Sequence, residues 1–325
     1  MKLPAILNVL VMAIFLIVSG ARGQNVETKR SSPLTASMQS FLGRWDLTLH
    51  APDREYPSWL ELREEGGQLQ AAMVGRWGNA RPLPKAELSH GQLTFVSPKD
   101  EESSPIDLVF EGTLVGQALS GTLNGPDGKT WHWSGKRAPT LRRSSAPKWG
   151  KPIPLFDGKD LSGWQMAGPG TTEWKVEDGN LLTPGNGPEL INNQDFEDFK
   201  LHVEFKCNDT SNSGVYLRGR YEVQIETDSA DEPPSHHTGG VYGFIAPSPE
   251  LPRKSGAWQS FDITLIGRRI TVVQNGQIIV NDKEIPGITG GALDSHEELP
   301  GRIYLQGSEK GQVAYRSIVI TPAKK

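Results

Sequence analysis

The chain has 325 residues, with 34 lysines and arginines against 38 aspartates and glutamates, for a formal net charge of −4. With no basic block, that balance argues against nucleic-acid binding through a cationic face. The one cysteine, Cys207, excludes both an intramolecular disulfide and a cysteine metal cluster. The fold must therefore be held by its apolar core.

Lys2 precedes an almost wholly apolar run over 5–18, and Ala21-Arg22-Gly23 offers the small residues a signal peptidase needs. The run is shorter than the roughly 20 residues of a spanning helix. Residues 1–23 are therefore expected to be a cleaved signal peptide, giving a secreted or periplasmic protein with no stable membrane span after processing. Residues 24–36 are polar and expected to be disordered. From 37 to 137 short alternating runs are separated by glycine, as in GGQLQ, HGQLTF and VGQALSG. Strands are expected at 45–49, 59–62, 69–74, 93–96, 106–110, 118–123 and 130–133, the rhythm of an antiparallel meander closing into a small β-barrel or sandwich. Gly43-Arg44-Trp45 resembles the Gly-x-Trp opening of lipocalin-like barrels. Trp45, Trp59, Trp77, Trp131 and Trp133 lie in this region and are expected to plug it rather than to stack on sugars. Residues 138–151 (APTLRRSSAPKWGK) have no apolar period and read as a linker to a second domain at 152–325.

No long stretch of the chain has helical periodicity, and 36 glycines and 24 prolines punctuate it often, so the fold class is all-β. In the second domain the central run is YEVQIE (221–226). A strand there sends Tyr221, Val223 and Ile225 to one face and Glu222, Gln224 and Glu226 to the other. The preceding run sorts in the same way, with Val215 and Leu217 opposite Tyr216 and Arg218. A loop carrying His236, His237 and Gly239-Gly240 follows. Two acids, an imidazole and a guanidinium in one short stretch mark a candidate site. The same alternation also describes a solvated outer face, so both readings stand at this point.

A set of short motifs runs through this domain in order: LFDGKDLSGW (155–164), WKVEDGNLL (174–182), FKLHVEF (199–205), NSGVYLR (212–218), YEVQI (221–225), WQSFDIT (258–264), Asn275-Gly276 and IYLQG (303–307). Over about 152–322 the chain resembles the DUF1080 family, also called the 3-keto-disaccharide hydrolase or 3-keto-glucoside lyase/hydratase domain. The resemblance implies a concanavalin-like jelly-roll β-sandwich. It implies an exported protein that cleaves 3-keto-glycosides by β-elimination and hydration, with an oligosaccharide or glycoside as partner. That chemistry needs a base, an acid and a stabiliser for an enolate oxygen. His236 or His237, Glu222 and Glu226 are the candidates for base and acid. Arg218, or a divalent metal ion with Glu226 and His236 as candidate ligands, would stabilise the enolate. Tyr216, Arg218, Gln224, Tyr242, Trp258 and Gln306 are the candidate substrate-binding residues. Where many relatives continue the strand with Leu-Asp-Asp, this chain has Ile225-Glu226-Thr227-Asp228. The alternative class is a lectin-like binding module, in which Trp258, Tyr216, Tyr242 and Arg218 grip sugar rings. A retaining glycosidase ranks last, because Glu222 and Glu226 stand about 13 Å apart on one strand where such a pair needs about 5–5.5 Å.

Overall fold

The computed structural model describes residues 38–76, 78–167, 174–184, 187–226, 232–252, 254–307 and 311–324. The signal peptide and disordered stretch expected over 1–36 lie outside them, as do Trp77, Thr227 and Asp228. Among the described residues no helix is long and apolar enough to cross a membrane.

The first nine strands are β1 (Gly43–His50), β2 (Glu55–Glu65), β3 (Gln68–Val74), β4 (Arg81–Pro82), β5 (Lys85–Ser89), β6 (Gln92–Ser97), β7 (Leu108–Val115), β8 (Ala118–Asn124) and β9 (Thr130–Arg137). They form one antiparallel sheet in the order β4-β3-β2-β1-β9-β8-β7-β6-β5. It is the expected meander, curled until β3 meets β5. Its interior is filled by Trp45, Trp133, Phe95 and Phe110, with the two phenylalanine rings stacked at 4.5 Å and Trp133 edge-on to both. Three of the tryptophans thus plug the curl, as expected: Trp45, Trp131 and Trp133. Trp59 does something else. It leaves the barrel and joins Val74, Ile288 and Phe244 in an apolar cluster shared with the second half of the chain.

Thirteen strands follow among the described residues: β10 (Ile153–Phe156), β11 (Trp164–Met166), β12 (Lys175–Glu177), β13 (Asn180–Leu182), β14 (Leu190–Phe196), β15 (Phe199–Cys207), β16 (Asn212–Leu217), β17 (Tyr221–Glu226), β18 (Trp258–Ile266), β19 (Arg269–Gln274), β20 (Gln277–Glu284), β21 (Gly301–Leu305) and β22 (Val313–Pro322). One sheet runs β12-β13-β22-β15-β18-β19-β20, with β10 also pairing β22, and the other runs β11-β14-β21-β16-β17. Every pairing between these strands is antiparallel. Leu201, Val203 and Phe205 face Val215, Val223, Ile225, Ile303 and Leu305 across a dry interior. This is the all-β jelly-roll sandwich the sequence called for.

The segment between the halves is docked rather than loose. Arg143 makes a two-pronged contact with Asp198, at 2.6 and 3.0 Å. Backbone bonds from Gly150 to Pro322 and from Lys324 to Lys148 then tie it along the end of β22. More polar contacts join the halves directly. Arg44 pairs with Glu284 at 3.1 Å, Thr48 Oγ1 lies 2.6 Å from Ser295 Oγ, and Lys136 pairs with Glu298 at 2.5 Å.

Candidate functional site

The site is built on the outer face of the five-stranded sheet, and cross-strand register assembles it. Tyr304 pairs with Tyr216, and Tyr216 with Glu222. One step along, Gly214 pairs with Gln224 and accepts the backbone N–H of Gln306. The next step pairs Asn212 with Glu226. Because side chains repeat with period two, all of these share one face, while Val215, Leu217, Tyr221, Val223, Ile225, Ile303 and Leu305 go to the core. Gly214 is required where it stands. A Cβ there would lie 2.0 Å from Glu222 Oε1, so any side chain would fill the space the carboxylate occupies.

This outer face is not solvated. Glu222 and Gln224 are each 2% exposed and Tyr304 1%, because loops cover them. After β17 the chain doubles back along the strand, with backbone bonds from Gln224 to Gly240, Gly239 to Gln224 and Tyr242 to Glu222. Gly239 and Gly240 permit this. A Cβ on Gly239 would strike Ile279 at 2.2 Å, and one on Gly240 would meet three carbonyl oxygens within about 3 Å. Gly290 and Gly291 cap the other side, and Gly78 of the N-terminal barrel completes the lining. The cavity is about 250 Å³. Glu189, Asn212, Tyr216, Glu222, Gln224, Glu226, Glu232, His236, Tyr242, Tyr304 and Gln306 line it as well.

Within the cavity several groups have partners that orient them. Tyr216 OH lies 2.9 Å from Glu222 Oε2 and 2.8 Å from the Gly290 carbonyl, two acceptors for its one hydrogen. Its ring stacks on Tyr304 at 3.9 Å, whose hydroxyl donates to the Gly291 carbonyl at 2.5 Å. Burial first, and then the charge of Glu222, hold both phenols well above the ordinary tyrosine range. Both therefore remain protonated donors at any physiological pH. Glu226 accepts from Asn212 Nδ2 at 3.2 Å and from Gln224 Nε2 at 3.0 Å. His236 Nδ1 sits 3.0 Å from Glu232 Oε2. An ionised carboxylate can only accept, so Nδ1 carries a proton, and in the neutral imidazole Nε2 then holds the lone pair. Nε2 has no hydrogen-bond partner among the described residues. The imidazole also stacks on Tyr242 at 4.3 Å.

The structure brings together Tyr216, Glu222, Gln224, Glu226, His236, Tyr242 and Gln306 of the sequence-derived candidates, and leaves three outside. Arg218 belongs to the tight turn after β16 and has φ of 54°, so strand alternation has ended there. Its guanidinium points the other way, buried against the carbonyls of Gly267 and Glu297 and over the Tyr221 ring. It is not available to an enolate in this cavity. His236 lies in a single 3-10 turn (Pro234–His236) and His237 is extended. Successive side chains therefore diverge, and His237 Nδ1 sits 3.0 Å from Glu250 instead. Trp258 opens β18 in the larger sheet, on the face opposite buried Gln259 and Phe261, between Arg316 and Lys206.

Asn212, Tyr304, Glu189, Glu232 and the Gly290-Gly291 pair were missed. Asn212 and Tyr304 carry the same period-two signal as their neighbours and could have been found by extending it. The other four come from loops, where no period reports direction. Glu226 and His236 share the cavity, but among the described residues no three His, Cys, Asp or Glu side chains are grouped to hold a metal ion. No step is therefore routed through one.

A family model for the 3-keto-alpha-glucoside-1,2-lyase-like domain matches residues 151–321. A 3-keto-disaccharide hydrolase of Bacteroides thetaiotaomicron is 29% identical over 90 residues, covering 24% of this chain and 31% of that protein. The chain thus spans about a third of the length of that curated relative. Among solved structures, a candidate glycosyl hydrolase of Parabacteroides distasonis is 30% identical, over 52% of this chain and 82% of that one, with a TM-score of 0.46. A second from the same organism is 26% identical, over 53% and 98%, with a TM-score of 0.43.

Proposed function

The chain belongs to the 3-keto-alpha-glucoside-1,2-lyase-like family, and on that premise we propose that it cleaves 3-keto-glycosides by β-elimination and hydration in the cavity over β16, β17 and β21. The observation that carries this reading is a polar sheet face buried under loops, with an oriented imidazole and four carboxylates in one small cavity. A solvated outer face does not bury Glu222 and Gln224, and it does not need Gly214 to make room for a carboxylate.

The chemistry follows from the ketone. A carbonyl at C3 acidifies the hydrogen on C2. His236 Nε2, held in its basic tautomer by Glu232, is the group suited to remove that hydrogen. The electron pair passes to the ketone oxygen as an enolate. In place of Arg218, the amides of Gln224, Gln306 and Asn212 supply donors for that oxygen. When the enolate collapses, the C1–O bond breaks and the leaving oxygen takes a proton from an acid in the cavity, for which Glu222 and Glu226 are the candidates. Water then adds at C1 of the 2-hydroxy enone and a proton returns to C2, so the net change is hydrolysis. No oxocarbenium ion forms, and the spacing of Glu222 and Glu226 therefore need not match that of a glycosidase pair.

The test is to incubate the full chain with a 3-keto disaccharide and with its unoxidised parent and to follow release of the leaving sugar. Cleavage is expected of the keto form alone, since without the ketone the C2 hydrogen is too weakly acidic for imidazole or carboxylate. Glu222→Gln keeps the shape and removes the charge. It should lower turnover by roughly 10²–10⁴-fold while changing binding much less. Binding of both sugars with cleavage of neither would refute the enzyme reading and leave a carbohydrate-binding module.

A further inference from the structure

The family match begins at residue 151, yet the cavity is lined in part by Gly78, from the loop between β3 and β4 of the N-terminal barrel. That loop spans the two sandwich loops that rim the cavity. A Cβ on Gly290 would lie 2.0 Å from the carbonyl oxygen of Gly78, and a Cβ on Gly243 would lie 2.6 Å from the side chain of Asn79. Backbone packed this closely against backbone leaves no gap for a chain to thread.

The loop is also held from behind. Arg76 lies before it and Arg81 after it, and both are tied to one fully buried carboxylate, Glu102. Arg76 donates its backbone N–H to Oε2 at 3.3 Å and its Nη2 to the Glu102 carbonyl at 2.6 Å. Arg81 Nη2 and Ser97 Oγ donate to Oε1 at 2.8 and 2.6 Å. The Arg76 guanidinium lies over the rings of Tyr56 and Trp131. Two buried cations on one buried anion are worth keeping only where they fix a geometry, because desolvation consumes most of their attraction.

We propose that the barrel is the end wall of the cavity and makes the protein act on a 3-keto ring only at the end of a glycan chain. The size supports the assignment: about 250 Å³ is below the roughly 300–1,000 Å³ of sites that take drug-sized ligands, the scale of a single sugar ring. A terminal keto ring seats with its leaving group directed out of the mouth. An internal keto ring carries a second sugar on its other side, and that sugar meets the Gly78–Gly290 contact. The proposal rests on the lyase reading above. It adds the class of substrate that is admitted and assigns Glu102, remote in sequence from the cavity, as a positioning residue.

The experiment compares kcat/KM of the full chain for two substrates, a disaccharide with the keto ring terminal and a trisaccharide with the keto ring internal. Gly290→Ala drives the Gly78 carbonyl away from the rim, and Glu102→Gln loosens the clamp without touching the cavity. Arg76→Lys is a milder version should Glu102→Gln fail to fold. In the parent the terminal substrate should be preferred by at least about tenfold, and each folded variant should lose most of that ratio. A purely structural role for the loop would lower both values together and leave the ratio where it was, which would overturn the proposal. Equal cleavage of both substrates by the parent would also overturn it, while leaving the lyase reading intact. Cleavage of neither substrate by the parent would overturn the lyase reading and this proposal with it.

Discussion

Replacing Asp46 with asparagine should stabilise the protein, and by more as the pH rises. Asp46 is on β1 of the barrel, 1% exposed, where the barrel meets the sandwich. Both of its oxygens are buried, and its hydrogen-bonding neighbour is the carboxyl of Glu297. Glu297, fully buried, is its acidic neighbour, with Arg268 and Lys136 the nearby cations. Tyr221 OH donates to Glu297 Oε1 at 2.5 Å and Arg268 Nη1 stands 3.4 Å from Oε2, so Glu297 already holds the available donors. Burial first, and the charge of Glu297 second, push the Asp46 carboxyl up from 3.8 to about 10. Between those values the folded chain binds one proton more than the unfolded chain, so stability falls as pH rises through that window. One proton is worth about 1.4 kcal/mol per pH unit, hence about 3 kcal/mol between pH 6 and pH 8. Asparagine keeps the shape, has no proton to lose, and its amide can donate to Glu297 as the acid proton does. The advantage of Asp46→Asn over the parent should therefore widen by about that amount across the two units. Chemical denaturation of both proteins at pH 6, 7 and 8 measures it. A difference that stays constant with pH would mean that Asp46 is ionised in the folded state and would refute the reasoning.

The two adjacent histidines should separate cleanly: His236→Asn should lower kcat for the keto substrate by roughly 10²-fold or more, and His237→Asn should leave it within a few-fold of the parent. Equal losses would mean that both imidazoles serve the cavity. The composition of residues 2–23 supports export, and mass spectrometry of protein from its native host should find an N-terminus near Gln24. An N-terminus that includes Met1 would defeat that reading.

Much of this protein was determined locally. Period-two alternation in 215–226 and 199–206, with glycine at the turns, is a property of neighbouring residues, and it sufficed for an all-β chain in two parts. It also sufficed to put Glu222, Gln224 and Glu226 on the face away from Tyr221, Val223 and Ile225, because a strand has only two faces. Direction is lost as soon as the backbone leaves the strand. Alternation places Arg218 next on the polar face, but its own left-handed backbone turns it over to the carbonyls of Gly267 and Glu297. His236 and His237 are equivalent in sequence, and only the 3-10 turn tells them apart. Whether the polar face met water or a ligand could not be decided locally at all. That depended on loops at 232–243 and 287–292 and on a barrel loop more than 140 residues away from Glu222, which together cover Tyr216, Glu222 and Gln224. Burial is a sum over every part of the chain that comes near. No window of sequence around a residue contains it, and for that reason the strand pattern was legible while the cavity it helps to form was not.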